Sequence, residues 1–85
     1  MPSEVLLDAR EMAPPEPFER ASALLRELRP GQYLRMLHHR VPYPLFDFCR
    51  RLSLICQVIE SGSAPCELIV YFAADETALR EAAVL

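Results

Sequence analysis

The sequence predicts an α+β fold: a two-layer α/β sandwich of order β-α-β-α-β-β, with two helices on one face of a four-stranded mixed sheet. Two stretches repeat apolar residues at three- and four-residue steps, the period of a helix, and four runs rich in Val, Ile, Leu and Tyr read as strands. With 85 residues there is room for one hydrophobic core, so these elements must share a single packing. The expected domain is residues 1–85, with its core over about residues 4–73 and a tail helix over about 75–83.

Glu4 to Ala9 is a short Val- and Leu-bearing run that gives way to charge at Asp8 and Arg10, as a first strand does. Pro14, Pro15 and Pro17 then exclude both ladder and helix interior, so the connection is a stiff loop, with Pro17 suited to the first helical position and Glu16 to the positive end of the dipole. Phe18, Ala21, Leu24, Leu25 and Leu28 form one apolar stripe, which predicts a helix over Phe18 to Arg29, stopped by Pro30-Gly31. Gln32 to His38 alternates, with Leu34, Met36 and His38 on one face and Tyr33, Arg35 and Leu37 on the other. A second proline loop, His38 to Pro44, leads to the stripe Leu45, Phe48, Cys49, Leu52 of a second helix. Ile55 to Glu60 and Cys66 to Phe72 flank Ser61-Gly62-Ser63-Ala64-Pro65, the spacing of an antiparallel hairpin whose register stays open between at least two pairings. Asp75 to Ala83 predicts a short helix with Asp75 as N-cap and Ala78, Leu79, Ala82 and Val84 inward. Right-handed crossovers make the first two strands parallel.

Composition narrows the function classes. A content of 52% hydrophobic and 25% charged residues with only two glycines describes a folded globule. A net charge of -3, all nine basic residues being arginine, provides no field for phosphates, so neither nucleic acid nor an anionic membrane is an expected partner. Three cysteines without CxxC spacing, no basic leader and no apolar stretch near the ~18 residues of a membrane span point to a reduced, cytoplasmic protein. Nothing in the pattern calls for a cofactor.

Leu7-Asp8-Ala9-Arg10, Pro15-Glu16-Pro17 and Pro30-Gly31 resemble the signature of the TusA/SirA-like sulfur-carrier proteins, where an L-D-x-R strand end precedes C-P-x-P. The resemblance runs roughly from Val5 to Phe72. In that family the cysteine takes up a persulfide ahead of a helix N-terminus that stabilises the thiolate. Here the position is Pro14, which has no nucleophile. Pro14-Pro15-Glu16-Pro17 and His38-His39-Arg40-x-Pro42 more closely resemble a sister group of uncharacterised bacterial domains that carry P-P-E-P and an H-D-x-x-P-like loop. His39 stands where that loop has its acidic residue, which removes a His-Asp pairing. The resemblance implies a sheet of order one, two, four, three with only the fourth strand reversed.

If the first two strands are parallel, both proline loops and both helix N-termini open on one edge. Asp8, Arg10, Pro14, Pro15, Glu16, His38, His39 and Arg40 are then the candidate ligand- or partner-binding residues. Two helix N-termini and two arginines would suit a small anion or a partner's carboxylate. The plainer alternative is that Asp8 and Arg10 pair with each other and Glu16 only complements the dipole. His38 and His39 point to opposite faces, so they do not make a two-histidine metal site. His38 shares a face with Leu34 and Met36 and reads as a hydrogen-bonded residue at the core margin, although Glu16 or Asp8 could tune it as an acid or base. Cys49 and Cys66 fall on apolar faces and Cys56 is undetermined. Tyr33, Leu37, Ile69 and Tyr71 share the second sheet face, which invites either a partner, such as a second copy of the chain, or the tail helix.

The expected function is a non-catalytic binding or adaptor domain that docks a protein or a small anionic ligand at the proline-loop edge, since pre-organised loops lose little entropy on binding. The alternatives are sulfur or redox transfer through Cys56 or Cys49, and a small enzyme using His38 with Glu16.

Overall fold

The computed structural model describes residues 2–59 and 65–85. Its elements are β1 (Ser3–Asp8), α1 (Glu16–Arg26), β2 (Gln32–His38), α2 (Tyr43–Arg51), β3 (Leu54–Ile59), β4 (Cys66–Phe72), a 3₁₀ turn (Ala73–Asp75) and α3 (Glu76–Glu81). The four strands form one sheet of order β1-β2-β4-β3. β1 runs parallel to β2, and β4 is antiparallel to both β2 and β3. This is the predicted α+β sandwich, with the strand order and the single reversed strand that the resemblance implies.

Alternation along the strands sorts residues onto two faces. Leu7, Leu34, Met36, Leu68 and Val70 meet Ala21 and Leu25 of α1 and Leu45 and Cys49 of α2 in one apolar cluster. Both helices therefore lie on that face, as their stripes require. An edge-to-face contact between Phe18 and Phe48 (centroids 5.8 Å apart) joins them near the sheet end, and Arg26 lies over the Phe48 ring at 5.4 Å.

Several boundaries differ from expectation for identifiable reasons. α1 begins two residues before Phe18, because the Glu16 N–H finds the Ala13 carbonyl and Pro17 sits comfortably in the first turn. It ends at Arg26, where Glu27 and Leu28 close tighter turns onto Leu24 and Leu25, keeping Leu28 buried outside the helix. The hairpin register aligns Cys56 with Val70, which puts Cys56 on the helix-covered face. Glu60 and the predicted turn residues Ser61 to Ala64 lie outside the described residues.

On the second face Tyr33, Ile69 and Tyr71 are buried under Leu79 of α3, with Ile55, Val84 and Leu85 packed around them. The tail helix thus folds back over the sheet. Ala78 and Ala82, expected inward, are exposed, because α3 is only a turn and a half long and the chain after it, with Ala83 at φ 62°, brings Val84 and Leu85 inward instead. Asp75 does not cap α3 with its side chain. Its Oδ2 accepts the Gly31 N–H at 2.8 Å, tying the tail to the turn before β2, where Gly31 at φ 88° occupies the left-handed region that favours glycine. Of the two coverings expected for Tyr33, Ile69 and Tyr71, a partner or the tail helix, the tail helix is the one present.

Beside the tail, the same face carries charge. Arg35 is ion-paired through Nη1 to Glu67, itself 1% exposed, and through Nε to Glu4 Oε1 at 2.7 Å. Tyr33 donates to Glu4 at 2.9 Å and Tyr71 to Gln57 at 3.1 Å. No buried side-chain nitrogen or oxygen among the described residues lacks a partner. No helix among them is long and apolar enough to cross a membrane.

Candidate functional site

Because β1 and β2 are parallel, their C-terminal ends deliver the two proline loops to one edge of the sheet. A crevice of about 540 Å³ opens there. Its walls are Pro14, Pro15 and Pro17 from the first loop and Pro42 and Pro44 from the second, with Phe18, Val41 and Tyr43 between them. Its polar members are His38 and Arg40. The Pro14–Pro15 bond is cis. Tyr43 stands 72% exposed at the rim, its ring edge-to-face with Phe46.

His38 ends β2 on the helix-covered side and is only 4% exposed. Its Nδ1 accepts the backbone N–H groups of His39 at 2.9 Å and Arg40 at 3.2 Å. A nitrogen that accepts two amides carries no proton, so the neutral ring holds its proton on Nε2. Burial, reinforced by the charges of His39 and Arg40, pushes the imidazole below the ordinary histidine range and keeps this neutral form. Nε2 bonds to no described residue, yet it is not a buried atom without a partner. His38 is one of the two polar residues that line the crevice. The ring of His39 tilts against that of His38 with centroids 4.7 Å apart, but His39 itself points to solvent.

The helix N-termini contribute less than two free dipole ends would. In α1, Pro15 and Pro17 have no N–H and Glu16 donates to Ala13, which leaves the Phe18 amide as the first-turn donor without a backbone partner among the described residues. In α2, Pro42 and Pro44 have none, Tyr43 donates to Val41 and Leu45 to Pro42, so every first-turn amide is accounted for. The prolines that shape the crevice also remove donors from it.

Not all the predicted site residues converge. His38, Arg40, Pro14 and Pro15 line the crevice, whereas Asp8, Arg10, Glu16 and His39 do not. Asp8 and Arg10 form a two-point pair at the end of β1, Nε to Oδ1 at 2.9 Å and Nη2 to Oδ2 at 2.7 Å. The Arg10 side chain and its amide hold the Asp8 carboxyl at about 2. Glu16 faces Arg20 one helical turn on, at 3.7 Å, and makes no hydrogen bond to His38. The proposed His38–Glu16 couple is therefore not formed: Glu16 turns to Arg20, and no hydrogen bond joins it to the imidazole. Pro17, Phe18, Val41, Pro42, Tyr43 and Pro44 join the crevice beyond the predicted residues; Phe18 was expected only as part of the helix stripe, and its place at the helix start was the available signal.

A family model described as an uncharacterized conserved protein, DUF2249, matches residues 6–67. The chain belongs to that family. No curated protein and no solved structure gives a match. The DUF2249 match runs from the second half of β1 through both proline loops, α1 and α2 to the start of β4, so the whole crevice lies inside it.

The cysteines sit elsewhere in this DUF2249 chain. Cys49 and Cys66 are buried and Cys56 is partly so. A hydrogen bond between the sulfurs of Cys49 and Cys56 lowers the first and raises the second, with burial opposing ionisation of both. Burial alone pushes Cys66 up. None of the three lines the crevice.

Proposed function

We propose that this DUF2249 domain binds rather than catalyses: it is an adaptor of sulfur-carrier-like fold that docks a protein or a small anionic ligand in the proline-walled crevice. The observation that carries this role is His38, almost wholly buried, locked into one tautomer by two loop amides, and lining an apolar cleft. A buried donor held so firmly is a recognition group in search of an acceptor. The kinship to TusA/SirA-like carriers belongs to the same proposal. Pro14 occupies the carrier cysteine's place, so the fold keeps the docking edge and gives up the persulfide chemistry. A reduced, cytoplasmic setting fits three unbridged thiols.

A nuclear magnetic resonance screen of the labelled chain against a diverse fragment set tests the location. Shifts that cluster on residues 14–18 and 38–44 are expected; shifts centred on α3 and the second sheet face would overturn the proposal. Transfer through Cys56 or Cys49 is the competing role, favoured only by the contact between the two sulfurs. It requires a reachable thiolate, and iodoacetamide at neutral pH is expected to leave both unmodified in the native chain. Rapid alkylation of Cys56 would revive it.

A further inference from the structure

Two polar side chains, His38 and Arg40, line the crevice, and no carboxylate does. His38 Nε2 can only donate, the amide of Phe18, another lining residue, has no backbone partner among the described residues, and the Arg40 guanidinium makes no ion pair with any described residue while its charge is felt at His38. A wholly apolar occupant would leave these donors without acceptors, at a cost comparable to a lost hydrogen bond for each. A small hydrated anion would find proline rings where it needs water. The fitting ligand combines one acidic head with an apolar body.

Charge limits the head further. With His38 neutral, Arg40 is the single full positive charge lining the space. A single negative charge balances this, whereas a dianionic phosphate ester would keep an excess. The body follows from Phe18, Tyr43 and the proline faces, which present flat apolar surface, and about 540 Å³ falls within the range of small-molecule sites.

We propose that the crevice takes a small aromatic carboxylic acid, its carboxylate against His38 Nε2–H, the Phe18 amide and the Arg40 guanidinium, and its ring between Phe18, Tyr43 and the prolines. This rests on the binding role proposed above and names its ligand class.

Phenylacetate titrated into the labelled full chain is the direct test, alongside phenylacetamide, acetate and phenyl phosphate. Phenylacetate is expected to move the Phe18 amide and residues 38–44 saturably, and to bind about tenfold or more tighter than each of the other three. Arg40→Gln, at an exposed position, is expected to weaken phenylacetate about tenfold and so bring it to the level of the amide. Equal binding of phenylacetate and its amide would overturn the proposal and leave the crevice as a binding site of another class. Tighter binding of phenyl phosphate would overturn the single-charge assignment. A short peptide ending in a free phenylalanine carboxylate that outcompetes phenylacetate would give the crevice to a protein C-terminus instead. Failure of all these probes, with the fragment screen still landing on the crevice, would overturn the ligand class alone.

Discussion

On one face of the sheet, two amphipathic helices close over Leu34, Met36, Leu68 and Val70 in an apolar layer; on the other, a helix of six residues shelters Tyr33, Ile69 and Tyr71 and leaves Glu67 to be neutralised by Arg35. The difference is one of length. α1 and α2 present enough apolar stripe to span their face, whereas α3 covers only the end of β2 and β4 where Leu79 lands. What it cannot reach is satisfied by charge and hydrogen bonds, a solution that excludes water less well but tolerates no missing partner.

Removing one side chain from each layer breaks the comparison at different depths. Leu34→Ala, at a fully buried position between two strands and two helices, is expected to cost about 4 kcal/mol in denaturant unfolding. Arg35→Met should cost about 3 kcal/mol, since Glu67 would lose a charge partner while remaining out of water. A loss near zero would mean that Glu67 is held by its other contacts. Leu79→Ala should cost about 2 kcal/mol, because α3 can lift away and expose its site to solvent. Hydrogen exchange should then speed first in the tail, with α1 and α2 still protected.

Acid sharpens the contrast by addressing the faces in turn. His38, on the helix side, is held below its ordinary 6.5 in the folded chain. The unfolded chain therefore takes up that proton first, and stability falls as pH drops below 6.5 until the folded ring titrates. Glu4, on the tail side, is lowered mainly by its hydrogen bond to Arg35, so its contribution is present above 4.5 and is lost as pH falls below it. Denaturant midpoints measured from pH 7 to pH 3.5 should show two declines, the first absent in His38→Gln and the second weakened in Glu4→Gln. The smallest expected effect is a gain. Ser53 ends α2 in the left-handed region at φ 59°, and Ser53→Gly should stabilise by about 1 kcal/mol, visible as a higher melting temperature.

Much of the architecture was legible because period and punctuation agreed. β2 and β4 begin and end where alternation predicted, and the proline loops open on the predicted edge. Helix ends were less legible, since Pro17 is equally at home at the first or second position of a turn. The site was half legible. Sequence order put His38, Arg40, Pro14 and Pro15 on one edge and offered the Asp8–Arg10 pair as its plainer alternative, but it could not say that loop amides would claim His38 Nδ1. Such choices depend on side-chain directions within a few ångströms. Contacts across distant chain positions, Asp75 with Gly31 and Arg35 with Glu67, needed the sheet register before they could be seen. A lone Glu67 inside Cys66 to Phe72, and Arg35 in an otherwise apolar alternation, were the traces that pointed to the second.

The position of β4 has a consequence for synthesis. β3 pairs with β4 and with no other strand, and β4 comes after it in the chain while lying between it and β2. A nascent chain leaving the ribosome therefore displays β3 as an orphan edge until Phe72 has emerged. Until then Val58 and Ile59 are open to neighbouring chains, so a truncated chain ending at residue 59 should aggregate more readily than one ending at residue 72.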